Sequence, residues 1–290
     1  MLAKTNKLPL FAFLITVFFV GTNFVAVKYS NEELSPFWGA FLRFFIASIV
    51  LYLFSFTKRI PIPIGKALFG SVVYGVLGFG LAYALSYWAL LKVSAGIASI
   101  TFSLVPLFTF FLAVIQGLER FNTRILFGSI IAALGITIIF INQINGVSIL
   151  PLFALIAAAL CIAESGIVVK IMPKIHPVAL NAFGMFVGSI ILLIFSFLTN
   201  EVKTIPSYSS TLLAILYLVL LGTIALFLLW IFVLKHWSAT TTSYQLVLAP
   251  IITLVLANIL RGEPISTMTI LGGVIVISGV YLGAISLAKK

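Results

Sequence analysis

Arg43 and Glu164 are the two charged side chains that lie deep inside apolar runs of this sequence. An unpaired charge in hydrocarbon is expensive, so each must face protein or a water-filled cavity, and such residues by default mark a substrate or proton pathway. Glu164 suits proton coupling or cation binding; its structural alternative is a hydrogen-bonded acid or an ion pair with Lys170. Arg43 suits a substrate carboxylate; its structural alternative is to cap carbonyls and fasten its own helix. Together the two could hold the carboxylate and ammonium of a zwitterion, about 10 Å apart in depth by helix rise.

Neutral polar groups add to this set. Asn23 stands in the middle of the first apolar run, where it can bind substrate or bridge to a neighbouring helix. Tyr83 and Tyr87 are one helical turn apart, and Tyr244 and Gln245 are the least lipid-like pair near the chain's end. Aromatics with a polar tip suit a mostly apolar pocket with few orienting groups. Pro106 and Pro250 lie within apolar runs, where a missing N–H kinks a helix and can supply a hinge. His176 and His236 are isolated, and Cys161 is the single cysteine, so no metal site or catalytic constellation is expected. Walker, Rossmann and HExxH patterns are missing, and no cofactor is called for.

The elements that position these residues follow from composition. Hydrophobic residues make up 62% of the 290, charged residues 8%, and the mean hydropathy is +1.28. A soluble fold of this length needs far more polar surface, so the chain reads as an all-α, polytopic membrane protein whose solvent is the lipid bilayer. The net charge of +11 is spread over short loops without a basic patch, which excludes a nucleic-acid partner. Ten apolar segments are long enough to span: 8–28, 36–57, 68–90, 95–117, 122–141, 150–170, 178–198, 211–233, 238–260 and 267–287. A cytoplasmic N-terminus leaves only Lys28, Lys92, Lys203 and Arg261 outside, so the positive-inside rule places both termini in the cytoplasm.

The segments repeat. Pro106, Thr109, Ala113, Glu119, Gly128 and Gly135 recur 144 residues later as Pro250, Thr253, Ala257, Glu263, Gly272 and Gly279. Upstream, Pro9-Leu-Phe-Ala12 matches Pro151-Leu-Phe-Ala154, and Lys28 falls on Lys170. The chain therefore divides into two five-helix repeats, 1–146 and 147–290. An odd number of spans per repeat inverts the second relative to the first. That is the architecture of alternating access, with substrate held near the midplane.

In order along the chain, Gly21-Thr-Asn23 with Lys28, Pro36 with Arg43, and Tyr87, Lys92, Ala98-Ser99 and Pro106 resemble the EamA family of the drug/metabolite transporter superfamily. Glu119, Gly128 and Gly135 continue the pattern, and Lys235, Pro250, Glu263, Gly272 and Gly279 repeat it; Val20 replaces a usual Trp. The resemblance implies ten helices with both ends cytoplasmic, a central cavity, and transport of small metabolites, often amino acids, rather than enzymatic activity. The expected function is a secondary transporter, exporting amino acids or related compounds across the cytoplasmic membrane. The alternative is a proton-coupled exporter of cationic drugs acting through Glu164. The partners are then a small-molecule substrate and lipid, in a monomer or homodimer; small residues on the fifth and tenth segments suit packing within the chain or against another subunit.

Overall fold

A computed structural model describes residues 7–143 and 149–285. The repeat boundary expected at 146/147 lies outside the described residues. Among the described residues the chain is all helix and holds no strand. In chain order the helices are α1 (Leu8–Ser30), α2 (Pro36–Thr57), α3 (Gly65–Tyr74), α4 (Ala82–Ala89), α5 (Ala95–Phe102), α6 (Val105–Ile115) and α7 (Thr123–Gln143). There follow α8 (Leu150–Ile171), α9 (Pro177–Leu198), α10 (Ser209–Val219), α11 (Leu226–His236), α12 (Ala239–Ser243), α13 (Gln245–Arg261) and α14 (Thr267–Ile285). A π turn, Gly75–Leu81, joins α3 to α4, and a second, Leu220–Ala225, joins α10 to α11.

Eight of the resulting rods are long and apolar enough to cross a membrane; α3 with α4, α5 with α6, α10 with α11 and α12 with α13 each make one rod. The fifth and tenth expected segments are the helices α7 and α14. Large apolar side chains stand outward along the rods, for example Leu10, Phe11, Leu14 and Phe18 on α1, as a lipid solvent requires. The protein is a multi-pass membrane protein.

Starts and breaks have local causes. Pro36 and Pro177 open α2 and α9, where a missing N–H costs nothing. Ser94 and Ser238 cap α5 and α12 by accepting from the N–H of Ile97 (3.3 Å) and Thr241 (3.0 Å). The two expected proline kinks take different forms. Pro250 lies inside α13, whereas Pro106 is at the start of α6, after the rod has already broken at Ser103 and Leu104. Pro250 cannot donate to the carbonyl of Leu246, and the Ser103 hydroxyl, brought close by that break, donates to it at 3.1 Å.

Around the core, α2 packs on α9, α1 on α13 and α11, and α8 on α4 and α6. To one side α7 packs along α14: Gly135 meets Gly272 and Val276, and Gly279 meets Gly128 and Ala132. The small residues of these two helices are thus used within the chain.

Candidate functional site

The central cavity has a volume of about 110 Å³ and is walled by α1, α2, α4, α5, α6, α8, α11, α12 and α13, with Tyr74 and Gly78 from the first π turn and its approach. Among the described residues its one charged lining residue is Arg43.

Arg43 is on α2, fully buried. Its Nε donates to the Thr223 hydroxyl at 2.6 Å and its Nη2 to the Gly222 carbonyl at 2.7 Å. Its Nη1 donates to the Tyr87 hydroxyl at 3.3 Å, and the guanidinium lies over the rings of Phe44 and Tyr83, 5.0 and 5.1 Å from their centroids. Gly222 and Thr223 belong to the second π turn, which departs from the regular i→i−4 ladder and presents a carbonyl and a hydroxyl sideways. The same Gly222 carbonyl accepts Asn23 Nδ2 at 2.9 Å. A Cβ on Gly222 would overlap the Asn23 amide oxygen, so a larger residue there would displace the Asn23 side chain.

Among the described residues all partners of Arg43 are neutral. Among the described residues the ion pairs are those of Arg261, with Glu32 at 2.6 Å and Glu263 at 3.7 Å. Arginine carries five N–H donors; three are used, which leaves two without a partner among the described residues. Two buried acceptors are unused as well: Asn23 Oδ1 and Gln245 Oε1 have no hydrogen-bond partner. The remaining wall is aromatic and apolar. Tyr74 stacks on Trp230 with centroids 6.2 Å apart, and Phe227 also lines the space. The lining hydroxyls of Ser86, Thr109, Ser165 and Ser243 each donate to a carbonyl of their own helix.

Of the residues singled out in the sequence, Asn23, Arg43, Tyr83, Tyr87 and Gln245 meet at this cavity. Tyr244 and Glu164 are not in its lining. Tyr244 occupies the turn between α12 and α13 and packs among core side chains. Glu164 accepts from Gln116 Nε2 at 3.0 and 2.8 Å, and Lys170 donates instead to the Trp237 carbonyl at 2.6 Å. Arg43 and Glu164 are therefore not brought to one cavity. Gly222, Thr223, Phe227 and Trp230 were not singled out from the sequence. Gly222 is 144 residues after Gly78, so the repeat register was the one signal that could have marked it.

The sequence model described as the EamA-like transporter family matches residues 7–141 and again 149–284. An uncharacterized transporter of Archaeoglobus fulgidus is 30% identical, over 92% of this chain and 95% of its own. A protein named a probable amino-acid metabolite efflux pump, from Escherichia coli K12, is 25% identical over 94% of each chain. A crystal structure superposes with a TM-score of 0.73 at 14% identity, covering 96% of this chain and 97% of the other, and supports the fold.

Proposed function

Because the chain belongs to the EamA-like transporter family, we propose that it is a secondary transporter that moves small organic metabolites, amino acids or related compounds, across the cytoplasmic membrane by alternating access, with export as its direction. The reading takes the chain as ten spans in two inverted five-helix repeats, 1–146 and 147–290, with both termini cytoplasmic. It describes a carrier, not an enzyme. Asn23, Arg43, Tyr83, Tyr87 and Gln245 are its substrate-binding residues, and Pro106 and Pro250 mark the hinges.

One observation carries the reading. In the repeat register Gly21 corresponds to Ala163, Ser99 to Ser243, and Thr253 to Thr109. In one trio the helices close: the Thr253 hydroxyl lies 2.8 Å from the Gly21 carbonyl and 3.0 Å from the Ser99 hydroxyl, knotting α13, α1 and α5. In the corresponding trio, Ala163, Ser243 and Thr109 line the cavity, and the two hydroxyls bond only within their own helices. Equivalent residues are thus hydrogen-bonded across helices in one half and only within their own helices in the other, an asymmetry that supports one state of an alternating-access cycle.

The two ends differ in some contacts between the halves and share others. Beside the closed trio, Glu32 pairs with Arg261, Glu33 accepts from Ser207 N at 2.6 Å and Tyr208 N at 3.1 Å, and Glu201 accepts from Phe37 N and Trp38 N at 3.0 and 2.8 Å. Each contact joins one half of the chain to the other. One contact is kept at both ends: Glu263 takes the N–H of Ala95 at 3.1 Å, and its counterpart Glu119 takes the Thr240 hydroxyl at 2.9 Å. A cationic-drug mechanism through Glu164 finds less support, since that carboxylate is held by Gln116 and the cavity's charge is positive.

Single cysteines test the reading in proteoliposomes, in a Cys161→Ser background, with a charged, water-soluble thiol reagent. Ser243→Cys is expected to label quickly and Ser99→Cys slowly, with substrate changing the ratio. Equal rates at both positions, unchanged by any solute, would refute alternating access built on these trios.

A further inference from the structure

The cavity's chemistry narrows the substrate of the transport reading, on which this step rests. Arg43 is a fully buried cation, and among the described residues it has no carboxylate within the 4.0 Å of an ion pair. A charge in such a place interacts strongly with whatever enters, because little water screens it. Cation–π contact with Phe44 and Tyr83 and three bonds to neutral oxygens hold the guanidinium in position without neutralising it. The group is fixed and its fork is incompletely used, and a planar fork matches a carboxylate.

We infer that the cavity binds small organic acids through one carboxylate set on Arg43, accepts an ammonium or hydroxyl elsewhere on the same molecule, and excludes amines that lack the carboxylate. The second part follows from Gln245, an uncharged amide in the lining whose Oε1 has no hydrogen-bond partner. It can take a donor from a zwitterion; it cannot outweigh Arg43 for a bare cation. The apolar body lies against Tyr74, Phe227 and Trp230, and at about 110 Å³ the space suits a body of a few carbons. An engineered cavity of about 150 Å³ takes benzene. Amino acids and their deaminated counterparts are therefore ligands of one site, and the carboxylate is the shared requirement.

Three probes with one isobutyl body separate the charges: leucine carries both groups, 4-methylpentanoate the carboxylate alone, and isopentylamine the ammonium alone. Their affinities for the detergent-purified protein are read by titration calorimetry and by the rise in Tm. Leucine and 4-methylpentanoate are expected to bind and isopentylamine not to. Arg43→Gln should weaken both acids by roughly 10- to 150-fold, the range for a hydrogen bond to a charged group, and Arg43→Lys by less, since the charge stays. Isopentylamine binding as well as the acids, neither acid binding, or a folded Arg43→Gln protein with unchanged affinity would each overturn the inference. If Arg43→Gln fails to fold, the three-probe comparison on the wild-type protein decides. Solute exchange by the wild-type protein is a separate measurement: exchange that ignores Arg43 sinks this assignment alone, and Arg43-dependent binding without exchange sinks the transport reading alone.

Discussion

Replacing Gly21 by alanine should shift the balance between the two open states. In the present state a Cβ on residue 21 would lie 2.7 Å from Ile252 Cβ and 2.9 Å from the Ala249 carbonyl oxygen. The second of these is backbone, which cannot rotate away, so α1 and α13 must part. Thr253 then loses its contact with the Gly21 carbonyl, now 2.8 Å. Forcing an extra methyl into a packed contact costs about 1–3 kcal/mol. The cost falls only on the state in which this crossing is closed, so the population ratio should move by roughly 5- to 150-fold. The labelling rate of Ser99→Cys reads that ratio and should rise accordingly, while that of Ser243→Cys falls. The reverse change, Ala163→Gly at the corresponding position, should let α8 approach α6 and protect Ser243→Cys. A folded Gly21→Ala protein whose two labelling rates match those of the parent would refute the gate.

Four further outcomes follow from particular contacts. Gly222→Ala should displace the Asn23 side chain and disturb the carbonyl shared with Arg43, lowering leucine affinity in calorimetry by more than tenfold at about 1–3 kcal/mol of overpacking. Arg261→Gln removes the partly exposed ion pairs with Glu32 and Glu263, and stability read from the melting curve should fall by no more than about 1 kcal/mol per pair. Glu164→Gln can still bond Gln116, and leucine affinity should be unchanged; a large loss would revive the cationic-drug reading. The hydrogen bond from Ser207 holds the Glu33 carboxyl below its ordinary value, so its contribution to the contact between the 31–35 and 206–208 segments is present above the unfolded-state pKa of about 4.3 and is lost as pH falls through the lower folded value. Hydrogen exchange of the Ser207 and Tyr208 amides should therefore quicken only in acid, and Glu33→Gln should abolish that dependence.

Much of the fold was legible because composition and the proline, glycine and glutamate register do not depend on side-chain direction. Arg43 and Asn23 could be found by the cost of placing them in hydrocarbon. Glu164 carried the same signal and points elsewhere, although Ala163, Ser165 and Gly166 beside it line the cavity. A helix that is apolar all round gives no moment to tell its inner face, and successive residues on it point about 100° apart. The π turn at Leu220–Ala225 was invisible for a related reason: it alters the backbone ladder without altering the apolar pattern, so Gly222 and Thr223 read as ordinary span residues. The early break before Pro106 likewise depends on its fit against α13, through Ser103 and the carbonyl that Pro250 leaves free.

Exchange in proteoliposomes tests the central claim most directly. Vesicles holding the protein are loaded with unlabelled leucine, and entry of labelled leucine is followed against vesicles loaded with buffer. Alternating access predicts saturable entry, accelerated by leucine on the far side and lost in Arg43→Gln. Entry that rises linearly with concentration and ignores the far side, or no entry above protein-free vesicles for any small carboxylate, would contradict it.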